Sequence, residues 1–358
     1  MERFTVKPVI SFGSGALAAL EELSGQRILL VTDEFLSRRS GLMDGVKGHL
    51  KGCEIRVFDA VKPDPSVDLV ARGVRELEEF RPDALVAFGG GSPMDCAKAM
   101  RHFSSVPALP SWCVPTTAGT GSEGTSFAVL TDSAKGVKYP LVDDALLPDR
   151  AVLDPALLAS VPPAVTADTG MDTLTHAAEA YVAKGATPFT DALAEKAFST
   201  AFRALPAACR GDLAAREEML LSSCMAGMAF NAAGLGLSHG LAHALGGRFH
   251  VSHGRLNAVV LPAVMAFNAS SGPTAGKYAR LAWLCGLAKS PRALISALHR
   301  LRMGLGLPER LTACGVEERA LREGLEEVAA AALSDRCTPS NPRSAGAEEL
   351  KAMLKELM

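Results

Sequence analysis

Aromatic residues are scarce in this chain: two Trp, three Tyr and fourteen Phe make up 5% of 358 residues. That leaves few stacking platforms for single-stranded nucleic acid. A surplus of either charge is also missing. Lys and Arg are scattered and the net charge is −2, so nothing recommends a nucleic-acid or anionic-membrane partner. No run of about 18–20 apolar residues escapes charge or Gly/Pro punctuation, which argues against a membrane span. The cysteines at 53, 96, 113, 209, 224, 285, 314 and 337 include no CxxC pair, and their wide spacing suits single thiols in a reducing compartment. The opening MERFTVKPVISFG lacks the charged-then-apolar pattern of a signal peptide and offers no amphipathic targeting helix. A cytoplasmic setting is expected.

What is present divides the chain in two. In the first 160 residues short apolar runs alternate with helical patterns: strands over 27–33, 54–61, 83–91 and 112–117, helices over 37–50, 67–80 and 92–103. This alternation predicts a parallel sheet covered on both faces, a Rossmann-like α/β domain over 1–158. Prolines in LDPALLASVPPAV (153–165) break the pattern. Beyond them strand signals fade, and Ala/Leu/Glu-rich segments, among them 166–183, 234–246, 256–270 and 316–333, predict an all-helical domain over 159–358.

Half of the eight histidines fall within fifteen residues: His239, His243, His250 and His253. His239 and His243 are four apart in a helical run, so both rings share a face. Gly246-Gly247 is where that helix is expected to stop, placing His253 in the following loop. Upstream, Asp172 and His176 are again four apart. Three imidazoles and a carboxylate would suit Fe²⁺, Zn²⁺ or Mn²⁺ better than Ca²⁺ or Mg²⁺, whereas the same residues could also be ordinary surface or hydrogen-bonded core histidines.

Two loops suit phosphate. In GGGSPMD (89–95) a buried strand runs into three glycines; Ser92 is read as the N-cap of the next helix, Pro93 as its first residue and Asp95 as the box partner of Ser92. Glycines admit close backbone approach and free N–H groups at a helix start attract anions, although a tight turn explains the same residues. PTTAGTGSEGTS (115–126) adds hydroxyls after the next strand. Asp33 ends the first strong strand, where an acid either binds a ribose 2′-hydroxyl, favouring NAD over NADP, or caps the next helix.

In order along the chain, GGGSPMDCAKA, PTTAGTGSE, GMDTLTHAAEAY and HGLAHALGGRFHVSHGRLNAVVLP resemble the iron-containing (group III) alcohol dehydrogenase family. The resemblance runs over nearly the whole chain and implies a dehydroquinate synthase-like architecture. VTDEFL, KPDPS, GVKYPL and SNPR look most like the branch making 1-propanol in bacterial microcompartments, with ethanol-forming members close by. It implies metal ligation by Asp172, His176, His239 and His253, with Fe²⁺ or Zn²⁺. His243 matches a catalytic histidine beside nicotinamide and substrate, and His250 matches no ligand, leaving it a supporting or cleft residue. NAD(H) binding is implied for Asp33, Gly90, Gly91, Ser92, Asp95, Thr116, Thr117, Thr120, Val129, Lys138 and Leu158. Gly124 stands where Val is usual, and Ser252 where Pro is common. The implied activity interconverts short aldehydes and primary alcohols, in a homodimer that associates with a microcompartment shell or partner enzyme. Three rivals share parts of this pattern. A metal- and NAD-dependent lyase would need basic residues for a phosphorylated substrate, a lactaldehyde/1,2-propanediol reductase would differ in substrate, and a shell scaffold would not need the complete ligand set.

Overall fold

The computed structural model describes residues 4–132 and 137–358, leaving aside the side chains of Val137 and Lys138. The chain divides into two units, Met1–Val161 and Pro162–Met358.

The first unit contains β1 (Val9–Phe12), β2 (Arg27–Asp33), β3 (Glu54–Val61), β4 (Ala84–Gly89), β5 (Ser111–Pro115), β6 (Phe127–Asp132), β7 (Val137–Val142) and β8 (Arg150–Leu153). Its helices are α1 (Glu34–Arg38), α2 (Leu42–His49), α3 (Val67–Phe80) and α4 (Gly91–Phe103). Six strands form one parallel sheet in the order β1-β8-β5-β4-β2-β3, while β6 and β7 pair antiparallel in a separate ribbon. The continuous apolar runs of β2 and β4 are what strands buried on both faces require. The Ser66 hydroxyl caps α3 by accepting from Leu69 N. That helix then lays Leu69, Val70, Leu77 and Phe80 against Leu29, Val31 and Leu85, each large side chain contributing about 1.5–3 kcal/mol by leaving water.

Four details differ from the sequence expectation, the first being the antiparallel β6–β7 ribbon, which none of the expected strands covered. The four-residue strands β1 and β8 are too short for an alternation pattern to show. The helix expected over 37–50 is two helices, because Gly41 takes a left-handed conformation between them. Finally, α4 starts before Ser92: its N-cap is Gly90, so the Ser92–Asp95 capping box does not form.

The second unit is helical: α5 (Pro163–Val182), α6 (Pro188–Cys209), α7 (Leu213–Ala233), α8 (Leu237–Phe249), α9 (His253–Asn268), α10 (Gly272–Leu284), α11 (Pro291–Gly304), α12 (Glu318–Glu323), α13 (Leu325–Ser334) and α14 (Ala347–Glu356). Leu241 and Leu245 of α8 pack with Leu256 and Val260 of α9 and Val328 of α13 in one core. Nearly all of α5 from Thr166 onward is buried, yet Asp168, Asp172, His176 and Glu179 recur on it every three or four residues. A polar stripe on a buried helix must find partners inside the protein. Among the described residues no single helix is long and apolar enough to cross a membrane; α7 and α8 pass that test only jointly, bent by 103°. Among the described residues, which include all eight cysteines, no disulfide forms.

Candidate metal centre and nucleotide loops

The buried stripe of α5 meets α8 and the start of α9. One donor atom from each of Asp172, His176 and His239 lies within 4.8 Å of the others. His253 Nε2 is 3.5 Å and His239 Nε2 3.9 Å from Asp172 Oδ1. The His176 ring stacks between Phe230 and His239, with both centroid separations 4.6 Å. His253 is the first residue of α9 and not part of a loop, because α8 continues through Gly246-Gly247 and stops only at His250, whose φ of 55° places it in the left-handed region. His250 is thereby a helix terminator, exposed, with its N–H on Gly246 O. Ser252 has φ −52°, close to what a proline would hold, so its side chain leaves the backbone path unchanged.

Glu179 orders this cluster. Its carboxylate accepts from Gly236 N at 2.9 Å and Ser238 N at 2.6 Å, at the start of α8, and lies 2.7 Å from His239 Nδ1. It therefore caps a helix that has no side-chain cap of its own from its N-cap residue. With Nδ1–H donated to Glu179, His239 keeps its Nε2 lone pair toward Asp172. Burial, reinforced by the neighbouring His176 and His253, pushes the His239 pKa well below its ordinary value and keeps the ring neutral. Burial pushes Asp172 upward, but His176, His253, His239 and the Asn257 amide outweigh it and hold the carboxyl low. Burial also raises Glu179 to about 7, against the lowering effect of the Ser238 and Gly236 N–H groups.

The donor set fits a cation. Asn257 Nδ2 donates to Asp172 Oδ1 at 2.8 Å and lies 3.2 Å from His253 Nε2 and 3.4 Å from His239 Nε2. Asp172 Oδ1 and two imidazole nitrogens thus converge on a single amide nitrogen, while Asn257 Oδ1 stays buried without a partner. Imidazoles plus a carboxylate form the kind of set that binds a borderline transition metal. Two further contacts bring α5 and α9 close. Arg255 donates to both Asp168 oxygens, at 3.2 and 3.1 Å, and Gly254 sits so near α5 that a Cβ there would overlap the Asp168 carbonyl.

His243 stands apart from the convergence point. Its Nδ1 lies 2.9 Å from Asp335 Oδ2, and its ring stacks on His253 at 5.1 Å. Burial raises Asp335, but the His243 contact and the Cys337 N–H overcome it, holding the carboxyl at about 2.

In the first unit, Asp33, the glycine loop and the threonine loop follow the carboxyl ends of adjacent strands β2, β4 and β5. Gly90, the N-cap of α4, brings no side-chain cap of its own, which suits an anion at the first N–H groups of that helix. A Cβ at Gly91 would come within 2.8 Å of Thr120 Cγ2, so the two loops pack together. Asp95 turns its carboxylate inward, accepting from Ser122 Oγ at 2.7 Å and Val129 N at 3.0 Å, and holds the second loop in place. Asp33 caps α1 by accepting from Leu36 N at 2.9 Å, which engages Oδ1. Thr116 and Leu158 are buried, Thr117 and Thr120 partly so. Lys138 pairs through its backbone with Thr131, and its side chain lies outside the described residues.

The iron-containing alcohol dehydrogenase model matches residues 8–155, and the model for the C-terminal part of the Fe-containing alcohol dehydrogenase family matches 166–358. The chain belongs to the iron-containing alcohol dehydrogenase family. This dehydrogenase is 43% identical to 1-propanol dehydrogenase PduQ of Salmonella typhimurium, with 100% of both chains covered. It is similar to the crystal structure of a 1,3-propanediol oxidoreductase, with a TM-score of 0.93, 38% identity and 100% of each chain covered. It also resembles the NAD⁺ complex of sulfoacetaldehyde reductase from Bifidobacterium kashiwanohense, with a TM-score of 0.89, 28% identity, and 100% of this chain and 98% of that one covered. The dehydrogenase is an oxidoreductase that interconverts alcohols and aldehydes with NAD(H).

Sequence reasoning missed Glu179, Asn257, Asp335 and Lys98. Glu179 was accessible as the next member of the Asp172–His176 stripe. Lys98 is 4% exposed, on the apolar face of α4. Its ammonium lies within hydrogen-bond reach of Ser122 O, Ser122 Oγ, Thr125 O, Thr125 Oγ1 and Phe127 O, tying the loop after β5 to that helix. Burial pushes the Lys98 pKa down and that of Asp95 up, each countered by the other's charge. Asn341 of the SNPR segment accepts from Leu237 N at 3.2 Å and exchanges hydrogen bonds with Asn268, holding the start of α8.

Proposed function

We propose that this dehydrogenase holds Fe²⁺, with Zn²⁺ as a substitute, on Asp172, His176, His239 and His253, and reduces short aldehydes such as propionaldehyde to primary alcohols. The observation that carries the reading is the convergence of Asp172, His239 and His253 acceptors on the Asn257 amide. When bound, the metal supplies Lewis acidity toward the substrate oxygen and the nicotinamide takes or returns a hydride. The chain's own residues prepare that chemistry. Glu179 fixes the ligating face of His239, and burial excludes water from Asp172, His176 and His239, all 5% exposed or less. The uncapped start of α4, with Gly90, Gly91 and Ser92, binds the pyrophosphate. Asp95 and Lys98 position the loop of Thr116, Thr117 and Thr120, and Asp33 favours NAD through its second oxygen. Val129, Lys138 and Leu158 complete this cofactor assignment.

His243 acts as the proton relay. Asp335 engages its Nδ1, so Nε2 is the atom left to give or take a proton. His243→Ala should lower kcat and alter the pH–rate profile with occupancy of the Asp172 centre unchanged; an unaltered profile and kcat would remove that role.

The 43% identity to a 1-propanol dehydrogenase supports the C3 substrate. One methylene is worth only about 1–3 kcal/mol, so acetaldehyde also turns over. The protein works in the cytoplasm, inside a microcompartment, as a homodimer beside a shell protein or partner enzyme. Dimerisation is supported by edge strand β1, which leaves Val9 and Phe12 exposed along an open parallel sheet. The deciding experiment is anaerobic: the chelator-stripped enzyme is given Fe²⁺ or Zn²⁺, and NADH is followed with propionaldehyde. Metal-dependent NADH oxidation, stronger with Fe²⁺, is expected. Bound metal and NADH without turnover of any short aldehyde would overturn the reading.

A further inference from the structure

Beside the four-residue centre lies a second cluster of donors. His243 of α8 faces Asp335, the residue that closes α13, and Cys337 follows two positions later with its N–H 2.8 Å from Asp335 Oδ1. One donor atom from each of His243, Asp335 and Cys337 lies within 4.8 Å of the others. The three offer nitrogen, oxygen and sulfur. We propose that His243, Asp335 and Cys337 form a second divalent-metal site, distinct from the Asp172 centre and selective for a borderline ion such as Zn²⁺.

Donor spacing, ligand chemistry and accessibility all suit such an ion. Metal–ligand bonds of about 2.0–2.3 Å at tetrahedral angles put ligands roughly 3.3–3.8 Å apart, so donors already within 4.8 Å need to close by only about 1 Å. The thiol separates the site from Mg²⁺ and Ca²⁺, which want oxygen, and also from the first centre, whose donors contain no sulfur. Accessibility is intermediate: the His243 and Asp335 side chains are 26% and 16% exposed, open to an ion yet partly desolvated. Three protein ligands leave one tetrahedral position for water. Binding here does not depend on the dehydrogenase reading. Its consequence does rest on the relay role of His243: an ion bound through that histidine fixes its ring and slows turnover, so excess Zn²⁺ is a reversible inhibitor of the Fe²⁺-loaded enzyme.

The test uses Co²⁺ as a spectroscopic probe on the full-length, metal-stripped protein. Saturation should give a near-ultraviolet thiolate-to-Co²⁺ charge-transfer band, absent from Cys337→Ser and retained in Asp172→Asn, which damages only the first centre. Asp335→Asn should weaken the affinity behind that band at least tenfold, a reading that stands even where Cys337→Ser fails to fold. Absence of the band in the wild type, its survival in Cys337→Ser, or an unchanged affinity in Asp335→Asn would each overturn the proposal. Visible Co²⁺ bands that vanish in Asp172→Asn report the first centre separately, so failure of one site is not mistaken for failure of the other.

Discussion

Glu179 shows how much one buried carboxylate decides. It closes the start of α8 and sets the tautomer of His239 in the same three contacts. Replacing it with Gln keeps the volume but offers His239 an amide where a carboxylate was. Glu179→Gln should therefore lower Fe²⁺ affinity about 10–100-fold, measured by chelator competition on the apoprotein. NADH affinity should not change. Glu195 carries the pH dependence at this scale. Burial pushes its carboxyl up, but the Arg280 guanidinium and the Tyr181 hydroxyl outweigh it and hold the pKa below the ordinary 4.5. The folded state then binds fewer protons than the unfolded one, so the stabilisation is complete above about pH 4.5 and is lost as pH falls toward the folded value. Denaturant midpoints of wild type and Glu195→Gln should differ at pH 7 and converge in acid.

Legibility in the sequence also differed residue by residue. Asp172/His176 and His239/His243 declare themselves by helical spacing, because a period of 3.6 needs no tertiary information. Glu179 shares that spacing, but its partners lie 57–60 residues away, and only packing brings them together. The roles of Asn257 and Asp335 are wholly tertiary for the same reason.

Among the elements, α4 and the loop after β5 act as one piece. The Lys98 ammonium holds three backbone carbonyls and two hydroxyls of that loop, with Asp95 accepting from Ser122 and Val129 one turn earlier. Lys98→Met would strip the loop of its anchor and leave Asp95 without the cation that counters its burial. NADH affinity should fall at least tenfold by fluorescence titration, with metal affinity intact. The strands and helices themselves were largely readable: β2, β3 and α3 fall where apolar runs and periodicity put them. The exceptions have local causes. Four residues give too little pattern to reveal β1 or β8. The glycines at 90 and 91 let α4 begin before the serine that looked like its cap, and a left-handed His250 ended α8 where two glycines seemed to.

In the molecule as a whole, the two proposed sites lie in separate units. All four candidate ligands lie within Pro162–Met358, and the nucleotide loops within Met1–Val161. Metal binding should therefore stabilise the helical unit. At a free concentration of about 100 Kd the gain is about 2.7 kcal/mol. For a unit of this size that raises its melting temperature by about 5–11 °C, at roughly 2–4 °C per kcal/mol. Calorimetry of apo- and Fe²⁺-loaded protein tests this, and an unmoved transition would place the ion elsewhere.

The contact between α5 and α9 has a further consequence, for inheritance rather than for chemistry. Because those helices meet at Gly254 with no room for a methyl group, the position next to His253 has no neutral amino-acid alternative. A saturation library at position 254, sorted for metal-loaded protein, should return glycine alone. Descendants of this chain can therefore change substrate through other positions, but not by loosening the joint that carries His253.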